Sequence, residues 1–145
     1  MKSKLLFLFL SFSAVLFSCK KEKTPEDKLA DAKKQVIGTW AVQSSSITYY
    51  DASGKVVKTE PADIDANVQI QFVDNGTLKT SDSPNDPYQY TLTNVNGKIL
   101  LNVINANYEL KVNNNTMSWS LESEYTDNNN DHIVKGVLTI QFKKV

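Results

Sequence analysis

The chain has 145 residues, with sixteen acidic residues, sixteen lysines, no arginine and a single cysteine. This length suits one domain, which is large enough to bury an apolar core. Beyond Lys34 the acids outnumber the lysines, which argues against nucleic-acid binding, because that affinity comes mainly from neutralising phosphates. With one cysteine the chain cannot form an intramolecular disulfide, and without arginine an anion site must use lysine or backbone donors.

Residues 1–18 have the organisation of an export signal. Two lysines precede an apolar run, 5–17, that is too short to cross a bilayer. Leu16, Ser18 and Cys19 then resemble the lipobox of bacterial lipoproteins. The resemblance implies cleavage between Ser18 and Cys19 and acylation of Cys19 by fatty acyl chains, palmitate among them. The alternative is an ordinary cleaved signal peptide with an incidental cysteine.

The lipobox resemblance also implies a location. An acylated Cys19 anchors the protein to a membrane of the bacterial cell envelope, because several acyl chains hold a protein stably in a bilayer. Lys20, directly after the cysteine, resembles the pattern of lipoproteins sent to the outer membrane. The membrane face stays open at this point, and so does the role of the tether lysines, which either lie against anionic headgroups or are solvated.

A polar tether and a short helix are predicted over 19–35. Thr24 is a good N-cap, Pro25 suits the first helical position, and Asp27 falls where a capping-box acid stands. Apolar residues then recur at spacings of three and four, at Leu29, Ala32 and Val36. We expect this helix to pack on the rim or one end of the domain that follows.

Residues 36–145 carry the pattern of a β domain. The expected strands are 39–50, 55–59, 68–72, 77–80, 88–93, 99–104, 108–112, 117–125 and 134–142. Asp74-Asn75-Gly76 is the strongest hairpin signal between them. No helix intervenes, which excludes parallel crossovers, and the alternation of polar and apolar residues predicts sheets with one face on the core. In the last strand this alternation puts Val134 on the apolar face with Gly136.

The fold class predicted is all-β, an antiparallel up-and-down barrel of eight or nine strands with a short N-terminal helix. Gly38-Thr39-Trp40 opens the first strand and resembles the Gly-x-Trp signature of lipocalins, in which the tryptophan closes one end of the barrel. The segments 72–78 and 115–119 are similar to lipocalin-like domains of small bacterial lipoproteins. Because the arginine that often stacks on this tryptophan is missing here, Lys143 or Lys144 must substitute through a cation–π contact.

Inward-pointing aromatic residues are the candidate binding residues. They are Trp40, Phe72, Tyr90, Tyr108, Trp119 and Phe142. Either they fill the core, or several line a pocket for a small hydrophobic or amphipathic ligand. The irregular segments Glu60–Asp63 and 81–87 would shape its mouth. The function expected is therefore ligand binding by an envelope lipoprotein, and the alternative is a filled barrel that serves as a protein-interaction module of the envelope.

Catalytic and metal chemistry have little support in the sequence. His132 is the single histidine, and Glu122 and Glu124 share a polar strand face. Asp127–Asp131 places oxygen ligands like the start of a calcium loop, but His132 stands where that loop needs glycine. We therefore expect no enzyme, no metal and no cofactor.

Overall fold

The computed structural model describes residues 23–125 and 132–145. The signal, including Ser18 and Cys19, and the calcium-like turn Asp127–Asp131 lie outside the described residues. The described elements are α1 (Pro25–Val36), β1 (Gly38–Asp51), β2 (Val56–Pro61), β3 (Gln69–Phe72), β4 (Thr77–Thr80), β5 (Tyr88–Val95), β6 (Lys98–Val103), β7 (Ala106–Asn113), β8 (Thr116–Glu124) and β9 (Ile133–Lys144).

The strands form one antiparallel sheet in the order β2-β1-β3-β4-β5-β6-β7-β8-β9, and β1 also pairs with β9. This last pairing closes β1 and β3 to β9 into an eight-stranded barrel. β2 is an additional strand that pairs with the far half of β1, from Ser46 to Tyr50. The prediction of an all-β antiparallel barrel with one short helix is confirmed.

Alternating side chains place the core inside the barrel. In β3, Ile70 and Phe72 are buried, whereas Gln69 and Gln71 are exposed. Tight turns join the strands: Gly76 and Gly97 both adopt a positive φ, which the hairpin turns at these positions require. The turn from β6 to β7 is less usual, because the β-branched Ile104 has φ 52°.

Helix α1 closes one end of the barrel. Its N-terminus has the predicted capping box, in which the Thr24 hydroxyl accepts from the Asp27 N–H and the Asp27 carboxylate accepts from the Thr24 N–H. Ala32 and Val36 are buried against the barrel. The Asn94 side-chain amide donates to the Pro25 carbonyl at 3.0 Å, which ties the start of the helix to the end of β5. The predicted packing on one end of the domain is thus confirmed.

At the opposite end the sheet extends beyond the barrel. The far half of β1 lies between β2 and β9, and β8 continues along β9 as far as the pair Glu124–Lys135. The register of β1 against β9 shifts between Tyr50 and Asp51. We therefore correct the prediction for Val134: it is 45% exposed, and Ile133 is buried in its place.

None of the helical structure in residues 23–125 and 132–145 is both long and apolar enough to cross a bilayer. The described helix α1 has twelve residues and an exposed, charged outer face.

Candidate functional site

Five of the six predicted aromatic residues form one connected cluster inside the barrel. Trp119 is at its centre, with ring centroids 4.9 Å from Phe142, 5.4 Å from Tyr108 and 5.9 Å from Phe72. Tyr90 joins through an edge-to-face contact with Phe72 at 4.8 Å. Such contacts are favourable beyond the burial of their area. The cluster shows that these residues, predicted separately from five strands, lie together.

The sixth residue, Trp40, lies at the end closed by α1 and is fully buried. Its indole N–H donates to the Val36 carbonyl at 2.7 Å, which satisfies a carbonyl at the end of the helix. The Lys144 ammonium lies 5.1 Å from the Trp40 ring centroid and donates to the Gln35 carbonyl at 3.3 Å. The predicted lysine substitute for the missing arginine is therefore confirmed, and it is Lys144.

The indole N–H of Trp119 is the exceptional polar group of the interior. Its Nε1 atom is buried and has no hydrogen-bond partner in the described part of the chain. Native proteins pair the large majority of buried polar atoms, and a buried donor without an acceptor costs about 1–3 kcal/mol. An acceptor supplied by a ligand or a water molecule would remove this cost. The sequence gives no signal for this atom, because the pattern locates the ring and not its partner.

The tyrosines at the edge of the cluster are half-buried, unlike the phenylalanines and tryptophans. The Tyr90 hydroxyl donates to the Val73 carbonyl at 3.0 Å. Burial, and secondarily the charge of Asp74, raise the pKa of Tyr90, so its hydroxyl stays a protonated donor. Its oxygen keeps acceptor capacity for a donor group of a ligand.

The loops predicted to shape a mouth lie at the end opposite α1, with one correction: Glu60 and Pro61, predicted as irregular, belong to strand β2 because they pair with Ile47 and Ser46 of β1. The segment 62–68, which joins β2 to β3, and the segment 81–87 both lie at this end. Ile64, which the sequence analysis did not single out, packs against the core from the first of these segments, together with Val68, the first residue of the predicted strand 68–72. Ile64 lies among polar residues with no periodicity, so no local signal marks it as an inward residue.

The sheet extension adds an apolar inner face above this mouth. Leu138 packs on the core and is paired with Ile47 on one side and Leu121 on the other. Further out, the rings of Tyr49 and Tyr125 meet edge to face at 5.2 Å. These side chains continue the interior apolar surface towards solvent.

A groove lies on the outer surface beside α1, and Tyr90 of the aromatic cluster forms part of its lining. This groove of about 660 Å³ has an apolar floor of Ile37, Tyr90 and Leu92, and Lys33 and Lys34 lie on its rim. Its volume lies within the usual range for small-molecule sites, roughly 300–1,000 Å³. Through Tyr90 the groove is one ring contact away from Phe72.

The weak catalytic candidates do not come together. His132 is exposed, and the Glu122 carboxylate pairs with the Lys135 ammonium at 3.2 Å on the outer face. In residues 23–125 and 132–145 no group of three or more potential ligands is placed to hold a metal. The calcium-like turn falls outside these residues.

Comparison with known proteins adds no relative. No protein-family model matches the sequence, and no curated protein matches it significantly. The resemblance to lipocalins therefore remains an interpretation of the Gly38-Thr39-Trp40 motif and the strand pattern.

Proposed function

We propose that this protein is a lipid-anchored lipoprotein of the bacterial cell envelope whose barrel binds one small apolar or amphipathic molecule. The anchor is the acylated Cys19, as the lipobox resemblance implies, and the outer membrane is the expected location. The protein acts by binding and not by catalysis.

The observation that carries this proposal is the unpaired indole N–H of Trp119. The donor is buried, and the Trp119 ring that carries it contacts the rings of Phe72, Tyr108 and Phe142. The matching ligand has an apolar body and one oxygen acceptor, such as a carbonyl, ether or carboxyl oxygen. Apolar surface would supply most of the binding free energy, and the acceptor would fix the orientation.

The two tryptophans of the chain provide a matched experiment, because one N–H is paired and the other is not. A ¹H–¹⁵N spectrum of the ¹⁵N-labelled protein has one indole signal from each. We expect the ligand that co-purifies from the envelope, or added dodecanoic acid as a probe, to shift the Trp119 signal and leave the Trp40 signal in place. Equal shifts of both signals, or none, would count against binding at Trp119.

The variant Trp119→Phe should lose the ligand without losing stability. Phenylalanine removes the unpaired donor and keeps most of the ring, so we expect the free energy of unfolding to stay within about 1 kcal/mol of the wild type. Trp40→Phe is the contrasting variant, because it removes the hydrogen bond to Val36 and should destabilise by about 1–3 kcal/mol. Chemical denaturation measures both, and native mass spectrometry of the detergent-solubilised protein measures the bound ligand.

A second candidate function, a protein-interaction module of the envelope, is favoured by strand β2. All six of its residues are exposed, and β2 stands at the edge of the sheet order, paired only with β1. Pro61, which has no N–H, stands at the end of this edge strand, and prolines are tolerated there. An edge of this kind can accept an extended strand from a partner.

A photo-crosslinking residue at Thr59 in β2 tests this second function in the intact envelope. Under the interaction hypothesis it forms a discrete adduct with one partner protein. The same residue at Lys79, exposed in β4, is the control and should form none. Identical crosslinking from both positions would argue against a specific edge interaction.

A further inference from the structure

The folded body is electrically polarised along the axis of the barrel. In the described residues, the half closed by α1 carries eight lysines and five acids, and the opposite half carries three lysines and eight acids, with Lys79 between the two halves. The basic half contains Lys23, Lys28, Lys33, Lys34, Lys98, Lys111, Lys143 and Lys144, with Glu26, Asp27, Asp31, Asp74 and Glu109. The protein thus has a surplus of positive charge at one end and of negative charge at the other.

Part of the positive charge at the helix-capped end is not neutralised locally. Lys23 pairs with Asp31, and Lys98 and Lys111 share the single carboxylate of Glu109. The remaining exposed lysines of this end form no ion pair within the described part of the chain: Lys28, Lys33, Lys34 and Lys143. These ammonium groups are available to anions of another molecule.

Two of these lysines border an amphipathic groove. Lys33 and Lys34 are at the rim of the hollow of about 660 Å³, whose floor is apolar and includes Leu92. Asp74, also in its lining, is the acid at this site. This arrangement matches a phospholipid, because the lysines of the rim can contact its phosphate and the apolar floor can contact its acyl chains.

The expected anchor emerges at this same end. Cys19 is four residues before Lys23, so extended chain of at most about 14 Å separates the acyl chains from the folded body. The start of α1 is fixed to the barrel by the hydrogen bond from Asn94 to Pro25. Because the screening length of physiological salt is about 8 Å, these lysines interact with the surface charge of a bilayer only when the body rests on it, and the short tether permits that contact.

We propose that the helix-capped end docks on an anionic phospholipid surface, with Lys33 and Lys34 against lipid phosphates and the acidic mouth directed away from the membrane. The orientation rests on the proposed anchoring through Cys19. It goes beyond that anchoring, because it assigns one face of the folded barrel to the bilayer.

Lysine reactivity tests the orientation in the full acylated protein. The protein is reconstituted in vesicles of phosphatidylethanolamine with 30% phosphatidylglycerol, and in vesicles of phosphatidylcholine alone. We expect acetylation at Lys33 and Lys34 to be at least threefold slower in the anionic vesicles, and to recover in 0.5 M NaCl. Lys55 and Lys58, on the opposite half, are internal controls and should react equally in both. Equal rates at Lys33 and Lys34 in the two vesicles would overturn the proposal.

Matched double variants separate position from net charge. In these variants the acetylation rate of Lys28 is the readout, and in the wild type it should be slower in the anionic vesicles. In the double variant Lys33→Glu with Lys34→Glu, Lys28 should react equally fast in both kinds of vesicle. Lys55→Glu with Lys58→Glu changes the net charge equally and should preserve the protection of Lys28. Loss of protection in both variants would show a mere effect of net charge and would overturn the assigned face.

The intact mass of the protein from the envelope distinguishes a failed orientation from a failed anchor. A mass without acyl chains contradicts the anchoring. In that case the non-acylated protein and both double variants are sedimented with the anionic vesicles. Salt-sensitive binding that only the variant Lys33→Glu with Lys34→Glu loses would support the docking face. An acylated mass with unprotected Lys33 and Lys34 contradicts the docking face alone.

Discussion

Gly38 and Lys144 show how single residues fix the closed end of the barrel. Gly38 has φ +125°, a conformation that side chains rarely adopt, and a Cβ atom there would lie 2.9 Å from Cε of Lys144. The same lysine lies over Trp40 and bonds the end of α1. Glycine is therefore needed at this position mainly for its backbone conformation, and the flexible end of the Lys144 side chain would have to shift to admit a methyl group.

We predict that Gly38→Ala destabilises the protein by about 2–3 kcal/mol, because backbone strain adds to displacement of Lys144. Gly54→Ala is the comparison, since Gly54 has φ +82°, which is closer to the left-handed region that other residues adopt, and has open space where a Cβ atom would lie. It should cost only the backbone strain, about 1 kcal/mol. Urea denaturation measures both, and equal losses would contradict the greater need for glycine at position 38.

A second residue with a strained backbone is Ile104, and here a substitution should raise the stability instead of lowering it. Ile104 is 65% exposed and has φ 52°, which a β-branched residue tolerates poorly. We predict that Ile104→Asn raises the free energy of unfolding by about 1 kcal/mol, because asparagine suits this conformation in a two-residue turn. Asn105→Ile, which adds the strain at the next residue, should lower it. A thermal melt of both variants decides the point, and a loss of stability in Ile104→Asn would refute it.

Among the elements, the ladder of β6 and β7 carries the ion-pair network of the outer face. The Glu109 carboxylate accepts from the ammonium groups of Lys98 at 2.7 Å and Lys111 at 3.3 Å. The hydrogen bond from Lys98, then that from Lys111 and the charges of both, hold the pKa of Glu109 below its ordinary value, against the effect of burial. Since the lysine ends are exposed, the network is weakened by solvent and salt.

The sign of its pH dependence follows from the lowered pKa. The Glu109 contribution is present above the ordinary carboxyl pKa near 4.5 and is lost as pH falls through the lower folded value. We predict that Glu109→Gln costs under about 1 kcal/mol at pH 7 and progressively less as the pH falls below 4.5. Denaturation from pH 7 to pH 3 measures it, with Glu124→Gln as a control that removes an exposed acid. A cost that is independent of pH would contradict the ion-pair origin.

On the scale of the whole molecule, the barrel and its extension should differ in local stability. β9 is paired on both sides, with β1 and β8, whereas β2 is paired only with β1 and is exposed throughout. Local opening starts where few contacts must break. The closed wall and the edge strand are therefore expected to open in separate steps.

We predict that amides of β2 that bond to β1 exchange with solvent about a hundredfold faster than the amides of β9 that bond to β1. Hydrogen exchange followed by NMR or mass spectrometry measures this difference within one sample. Equal protection of β2 and β9 would show that the extension opens only with the whole barrel.

The features that the sequence predicted are those with a local period. Ile70 and Phe72 face inwards because a pleated strand turns every second side chain to the core, and Asn75-Gly76 marks a turn by its backbone preferences. The six aromatic residues were found by the same alternation, and five of them meet. The contact between Lys144 and Trp40 was expected from the resemblance to lipocalins, which pointed to Lys143 or Lys144 as the cation on this ring.

Other features depend on geometry that local patterns do not contain. Because the register of β1 against β9 shifts after Tyr50, Ile133 is buried where the alternation predicted Val134. A one-residue slip in a strand reverses which side chains are buried. The position of β2 outside the barrel depends on which part of β1 remains unpaired by β3. The unpaired N–H of Trp119 depends on the distance to acceptors on several strands, which no spacing along the chain records.

The pairing of β1 with β9 has a consequence for the order of events in the export that we propose. Trp40 pairs with Lys144 and Asp51 with Ile133, so the seam joins segments roughly a hundred residues apart. A chain that crosses a membrane N-terminus first presents β1 long before its partner arrives. Until β9 emerges, both edges of the growing sheet are open to pairing with other chains. The seam therefore makes completion of the barrel a late, slow step, and under the proposed export we expect the chain to be most prone to aggregation just before its final strand is delivered.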